Sequence, residues 1–411
     1  MPRNGGVDAT RRLEEEVLAL RRERLAAPDD AARHAALAAR LALAGDRDGA
    51  VHHYRRSLGI EPRQPRVWWA LGLALDGDFA DDERAALSRL LAETPPHDPG
   101  RIETLFALGD AHHRRGDHAA AFACWTAGNR LRRREGAYDR AAHEATVAAI
   151  TSAPPRRFTP PPRDAGGPGT LLVVGMPRSG STLLERLLTR HPDVASAGEC
   201  EHLPRLVHDP AAAGIDDGAA LFPRLPGRLR ASSQRALAAA YQGELVARAG
   251  AGWRWVIDKL PYNVFYLEAA FAFVDDLRVV HLERDAADTV LGCYRRLFPE
   301  GQEFSYDLDD LLHFYRLYRR VAEHWRRHLG DRVLHVAYED LVRAPERTLA
   351  RVLDHLELPG GAAGLLARED TGPLSDTLSL YQVQGPVDDR HVGRWRPYAR
   401  WLAPVVRALG D

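Results

Sequence analysis

The residues best placed to do chemistry lie in Thr170–Pro192, TLLVVGMPRSGSTLLERLLTRHP. Gly175 and Gly180 free a short loop to curl around an anion, Arg178 puts a positive charge inside it, and Ser181 and Thr182 open a helix directly after it. A loop of this form aims backbone N–H groups and a helix N-terminus at phosphate or sulfate oxygens. The spacing from Gly175 to Gly180 matches the G-x-x-x-x-G-K-[ST] pattern of nucleoside triphosphatases, but Ser181 stands where that pattern has Lys. The lysine that reaches the β- and γ-phosphates is missing. The cradle therefore predicts a nucleotide-like anion and argues against an ATPase or GTPase. A nucleotide kinase retains only the loop spacing and Asp258, which follows an apolar run and mimics a Walker-B acid.

A second candidate is a single side chain. Of 56 basic residues, Lys259 is the one lysine and the other 55 are arginine. Where arginine serves every generic charge, a retained lysine suggests a position that needs a compact, flexible ammonium. Lys259 closes the strand-like run Trp253–Ile257, at the carboxyl edge where ligands of open α/β sheets gather. Glu199 follows the short run VASAG and projects from the same edge, with Glu201 and His202 as rivals for the role of a base. Arg284 ends the run VVHLER and points to that edge too, and Asp285 caps the next helix with Asp288 completing the turn. Cys200 adjoins Glu199 and reads as structural.

GMPRSGSTLLE resembles the 5′-phosphosulfate-binding loop of sulfotransferases that use 3′-phosphoadenosine 5′-phosphosulfate (PAPS). Over residues 30–400 the chain is similar to bacterial proteins that fuse an N-terminal tetratricopeptide-repeat (TPR) region to such a domain of the tyrosylprotein-sulfotransferase type. DKLP at 258–261, HLERD at 281–285, YEDL at 338–341 and VGRW at 392–395 follow in the family's order. The resemblance implies a PAPS-dependent transferase that moves a sulfuryl group to a hydroxyl acceptor without a metal. It gives Lys259 the task of neutralising the phosphate as it leaves, and Glu199 that of the base. It also assigns the donor to Pro177, Arg178, Ser179, Gly180, Ser181 and Thr182, with Arg284 for the 3′-phosphate, Tyr338 for the nucleotide and Arg394 as a late clamp on the phosphosulfate.

Three departures from the family pattern bear on these roles. The family's Arg acts with a Ser eight residues later, where this chain has Gly292; Arg296 one turn on, or Thr289 one turn earlier, are the substitutes on that helix face. The Arg-Gln pair usual before Pro386 is Gln384-Gly385, and two small hydroxyl residues usual before VG are Arg390 and His391. These changes motivate an alternative, a catalytically impaired PAPS-binding scaffold that acts through its TPR region.

The elements that must position these residues are legible in outline. Residues 1–152 read as helix after helix, with Gly-Asp pairs at Gly45-Asp46, Gly77-Asp78 and Gly116-Asp117. That period predicts TPR-like repeats, with an ordinary helical bundle as the other reading. Such repeats hold a peptide or protein acceptor or partner, or pack as a homodimer. Residues 153–169 hold six Pro and three Gly and read as a linker. Residues 170–411 alternate strand-like runs at 170–175, 194–198, 253–259, 277–284 and 332–338 with helical stretches. The fold class expected is α plus α/β, the second part a P-loop-type three-layer α/β/α domain on a five-stranded parallel sheet. The segment 209–230 breaks the rhythm, either as a loop over the acceptor site or as a surface excursion.

Bulk properties exclude several classes. A net charge of −1 gives no global field for nucleic acid or an anionic membrane. Cys124, Cys200 and Cys293 show neither a disulfide framework nor metal-ligand spacing, and the 18 His are scattered. No signal-peptide pattern or membrane-length apolar run is present, so a cytoplasmic protein without nucleic-acid or membrane partners is expected.

Overall fold

The computed structural model describes residues 13–23, 28–157, 159–162, 167–215, 221–227, 229–299, 301–368 and 385–410. Helix α1 (13–23) leads into α2 (Ala31–Leu43), α3 (Arg47–Ile60), α4 (Pro65–Leu75), α5 (Asp81–Glu93), α6 (Gly100–Arg114), α7 (His118–Arg132) and α8 (Arg140–Thr151). The Gly-Asp pairs sit at the turns within three helix–turn–helix units. Gly45, Gly77 and Gly116 take φ of 83°, 78° and 80°, a left-handed turn that ends one helix. Asp46 and Asp117 then cap the next, accepting the N–H of Gly49 at 2.8 Å and of Ala120 at 3.0 Å. Leu37, Leu41, Tyr54, Leu71 and Leu87 build one core between α2 and α5. Phe106, Trp125, Val147 and Ile150, by contrast, share a core with Tyr294 and Tyr398 of the chain's second half. The later helices are thus packed into the α/β domain.

That domain runs β1 (Gly169–Gly175), α9 (Ser181–Leu188), β2 (Val194–Ser196), α10 (His202–His208), α11 (Ala231–Ala249), β3 (Trp255–Asp258), α12 (Leu267–Phe273), β4 (Leu277–Glu283), α13 (Ala286–Tyr294), α14 (Leu308–Leu329), β5 (Val333–Ala337), α15 (Tyr338–Arg343), α16 (Pro345–His355), α17 (Ala362–Ala367) and α18 (Ala399–Gly410). The five strands form one parallel sheet in the order β2-β3-β1-β4-β5. Central β1 is buried along its whole length. Leu171 and Val173 face α9, α15 and α16, whereas Leu172 and Val174 face the layer that contains α11, α13 and α14. With β3 beside β1, the connection after β1 runs to β2 on one side and the connection after β3 runs to β4 on the other, which opens a crevice between the carboxyl ends of β1 and β3. Each of the five carboxyl ends delivers a candidate residue: the loop after Gly175, Glu199, Lys259, Arg284 and Tyr338.

The segment 209–230 is described except for 216–220 and 228. Leu221 and Leu225 are buried, and Arg224 donates to the carbonyls of Ala153 at 2.7 Å and Pro154 at 3.0 Å, tying the segment to the chain just past α8.

Candidate active site

The loop between β1 and α9 has almost no room for side chains at its glycines. A Cβ on Gly175 would stand 2.5 Å from the Leu282 carbonyl oxygen. Gly180 has φ 103°, and a Cβ there would stand 2.4 Å from Cδ2 of Tyr338, whose ring lies against the loop. Arg178 itself takes φ 69°, and its carbonyl accepts from Arg284 Nη1 at 3.1 Å. Pro177 accepts from the Cys293 thiol at 3.4 Å. Ser181 and Thr182 begin α9, which has no side-chain cap hydrogen bond. The Ser179 hydroxyl is buried with no hydrogen-bond partner among the described residues. A helix N-terminus without a side-chain cap, an orphaned Ser179 hydroxyl and a glycine cradle fit an anionic group.

Beside the loop, Lys259 is fully buried, and its Nζ lies 2.6 Å from Glu199 Oε1 and 3.7 Å from Glu185 Oε2. Backbone bonds align the two loops that meet here: Ala197 N–H to the Ile257 carbonyl at 2.8 Å, and Lys259 N–H to that of Gly198 at 2.9 Å. The Ser196 hydroxyl donates to Glu185 and accepts from Gly198 N–H at 2.9 Å. Glu185 was not singled out by the sequence reading, although an acid among Leu183, Leu184, Leu187 and Leu188 is a legible signal of a buried partner. Glu201 and His202 line the same groove as Glu199, but the ion pairs of Lys259 are to Glu199 and Glu185. Cys200 is buried and burial pushes its thiol up to about 11, which suits a structural role.

Asp258 precedes Lys259 and so faces the other side of the sheet. It is fully buried, accepts from Tyr241 Oη at 2.6 Å and Asn263 Nδ2 at 3.0 Å, and is pushed up to about 7 by desolvation. An acid engaged in the core in this way is not offered to a metal–nucleotide, which leaves the kinase reading only the loop spacing.

The other side of the loop is a cavity of 270 Å³ walled by arginines. Arg284 packs 4.5 Å above the Tyr338 ring, donates to the His391 carbonyl and lies 3.6 Å from Asp288. Asp288, read from the sequence only as completing the cap of α13, accepts with its side chain from the N–H groups of Gly393 at 2.6 Å and Trp395 at 3.0 Å and so ties the VGRW segment to α13. Arg394 donates to His391 Nδ1 at 2.8 Å and His113 Nε2 at 3.2 Å, bridging to α6. Arg295 and Arg296 meet the two oxygens of Asp110 at 2.9 and 2.6 Å. Desolvation lowers Arg178 to about 9, helped by Arg296 and Arg284, and lowers Arg394 to about 10, helped by Arg295. Guanidiniums that repel one another in a desolvated wall fit a ligand with more than one anionic group.

The departures read from the sequence now have a physical setting. Gly292 lies beneath Arg178: a Cβ there would stand 3.0 Å from Arg178 Cβ. Arg296 lines the cavity, whereas Thr289 does not and spends its hydroxyl on the Asp285 carbonyl at 2.9 Å. Gly385, Arg390 and His391 line the cavity; Gln384 lies outside the described residues. Among the described residues, one group of would-be metal ligands lies together, His281, Glu283 and His335. Arg326 donates to both Glu283 oxygens at 2.8 and 2.7 Å, placing its own cation there.

On its open side the site continues into a groove of 1870 Å³. It runs from Pro177, Thr182 and Glu199 past Tyr262, Phe304 and Phe314 to Trp69, Tyr54 and Arg40 of the helical region.

A sequence model described as "Sulfotransferase family" matches residues 169–361. An uncharacterized protein of Aquifex aeolicus is 27% identical over 358 residues, which cover 82% of this chain and 45% of that protein. A protein-tyrosine sulfotransferase of Drosophila melanogaster is 24% identical over 258 residues, 59% of this chain and 49% of its own length. The chain thus spans about half the length of these relatives. The sulfotransferase domain of the Synechococcus olefin synthase superposes with a TM-score of 0.40 at 22% identity, covering 59% of this chain and 91% of that domain.

Proposed function

Because residues 169–361 match the sulfotransferase family model, we propose that the chain transfers a sulfuryl group from PAPS to a hydroxyl acceptor. The acceptor sits on a peptide or protein held by the helical region, whose units are taken as TPR-like. The observation that carries the reading is the 2.6 Å pair of Lys259 and Glu199, placed between the glycine cradle and the groove. Glu199 takes the acceptor proton as the new oxygen–sulfur bond forms. Its protonation ends the ion pair and frees the ammonium of Lys259 as charge grows on the phosphate oxygen whose bond to sulfur breaks. The PAPS-binding residues of this reading are Arg178 to Thr182 around the 5′ end, and Arg284, Tyr338, Arg296 and Arg394 along the arginine cavity.

An intact base–lysine pair favours the enzyme over the impaired scaffold. No helix among the described residues is long and apolar enough to cross a membrane, and Cys124, Cys200 and Cys293 carry free thiols. The reading places the reaction in the cytoplasm.

The full chain, PAPS and a cell extract, followed by mass spectrometry for the gain of one SO₃, test the reaction. Glu199→Gln is expected to slow PAP release by about 10²- to 10⁴-fold while PAP still binds. A wild-type chain that binds no PAP overturns the proposal.

A further inference from the structure

The arginine cavity is not built by the α/β domain alone. Arg47, Asp76, Asp78 and Arg114 of the helical region line it together with Arg284, Arg295 and Arg296. Between these two walls lies Asp110, on α6 and 6% exposed. Its surroundings leave it little freedom. A Cβ on Gly77, in the turn after α4, would stand 2.4 Å from the Asp110 carbonyl oxygen. Gly109 lets Trp125 approach so closely that a Cβ there would stand 2.3 Å from the indole. Arg295 lies 5.0 Å over the same indole. The Asp110 carboxylate is therefore locked, and it takes one guanidinium on each oxygen.

We infer that Asp110 is a positioning residue for the donor site: from the helical region it holds Arg295 and Arg296 against the cavity wall, where the pair meets a second phosphate group of the donor. The inference rests on the PAPS reading above. Arg295 and Arg296 are 5% and 4% exposed, yet both border the cavity and both Nε–H groups lack a partner among the described residues. Two buried guanidiniums anchored from behind by one carboxylate keep donors for an anion in front. Without the anchor they would turn to other partners and lose that fixed direction. The helical region would then bind more than an acceptor, since one of its side chains orients the grip on the nucleotide.

The test is calorimetric titration of the full chain with PAP and with AMP, which lacks the 3′-phosphate. Removing the Asp110 charge strengthens the attraction for PAP more than for AMP, since PAP carries the additional phosphate, so a fall in the preference for PAP reports lost positioning and not lost charge. Asp110→Asn is expected to lower the preference for PAP over AMP about tenfold, the scale of one charge-assisted hydrogen bond. A preference equal to wild type overturns the inference. If Asp110→Asn does not fold, Arg296→Lys keeps the charge and loses the forked contact. It should show the same selective loss, and full PAP preference in that variant overturns the inference. A wild-type chain that binds PAP no better than AMP overturns the donor reading itself.

Discussion

Lys259 and Glu199 meet at 2.6 Å with unequal exposure: the lysine side chain is fully buried, while that of the glutamate is 42% exposed. The ammonium is fixed from behind by Glu185, and the carboxylate faces the groove. The division suits a fixed cation and a base that must reach a substrate.

It also explains why arginine cannot serve at position 259 in a chain that uses it everywhere else. A guanidinium is longer and planar, and the pocket between Glu185 and Glu199 is closed around a compact head group. Lys259→Arg is expected to fold and to retain PAP binding within about threefold, but to lose roughly 10²-fold in turnover as the cation moves off the leaving oxygen. Steady-state PAP release with parallel calorimetry checks both halves. Turnover near that of wild type would deny Lys259 its role.

Gly180 and Tyr338 make a second close pair. With φ at 103° and a ring carbon 2.4 Å from where a Cβ would stand, alanine is excluded by conformation and by contact. Gly180→Ala is expected to cost about 2 kcal/mol, a fall in Tm of about 4–8 °C, and to weaken PAP binding by displacing the loop. Differential scanning calorimetry with and without PAP separates the effects: a variant stabilised by PAP as well as wild type would show that the loop shape is not needed for the donor.

Strands β1, β3 and β4 were legible because each is a short apolar run that ends at a charged or glycine position, and the centre of the sheet buries most of each run. Glu199, Lys259 and Arg284 were legible for a related reason. The carboxyl end of a parallel strand has a known direction, so a polar residue just past it can be placed without coordinates. Asp110 was not, since an acid within LFALGDAHH looks solvated until α6 is packed against α13, 185 residues further on. Asp288 was legible only as a first-turn acid of α13, and its acceptance from Gly393 and Trp395, more than 100 residues on, was not. Gly292 read as a lost contact, and only the approach of Arg178 shows that a side chain there is crowded.

That crowding yields a prediction contrary to a simple repair. Restoring serine at 292 puts its Cβ 3.0 Å from Arg178 Cβ, closer than ordinary packing allows, on a half of the loop already held by Arg284. Gly292→Ser is therefore expected to weaken PAP binding by about tenfold, the low end of the 1–3 kcal/mol typical of overpacking. Titration with PAP decides it; tighter binding would mean that Arg178 yields and the hydroxyl finds the phosphate.

The Asp258 carboxyl provides a test in pH. Burial raises it to about 7 from an ordinary 3.8, against the opposing pull of hydrogen bonds from Tyr241 and Asn263. Between those two values the folded chain holds a proton that the unfolded chain has released. Stability from this group is thus present below pH 3.8 and is lost as pH rises to about 7, by at most about 1.4 kcal/mol per pH unit. Asp258→Asn cannot ionise and keeps an oxygen to accept from Tyr241. Its Tm relative to wild type is expected to climb between about pH 4 and pH 7 and to level off above that window. Thermal melts of both chains across that range measure the difference, and a difference that stays flat would show that the carboxyl ionises as it does in water.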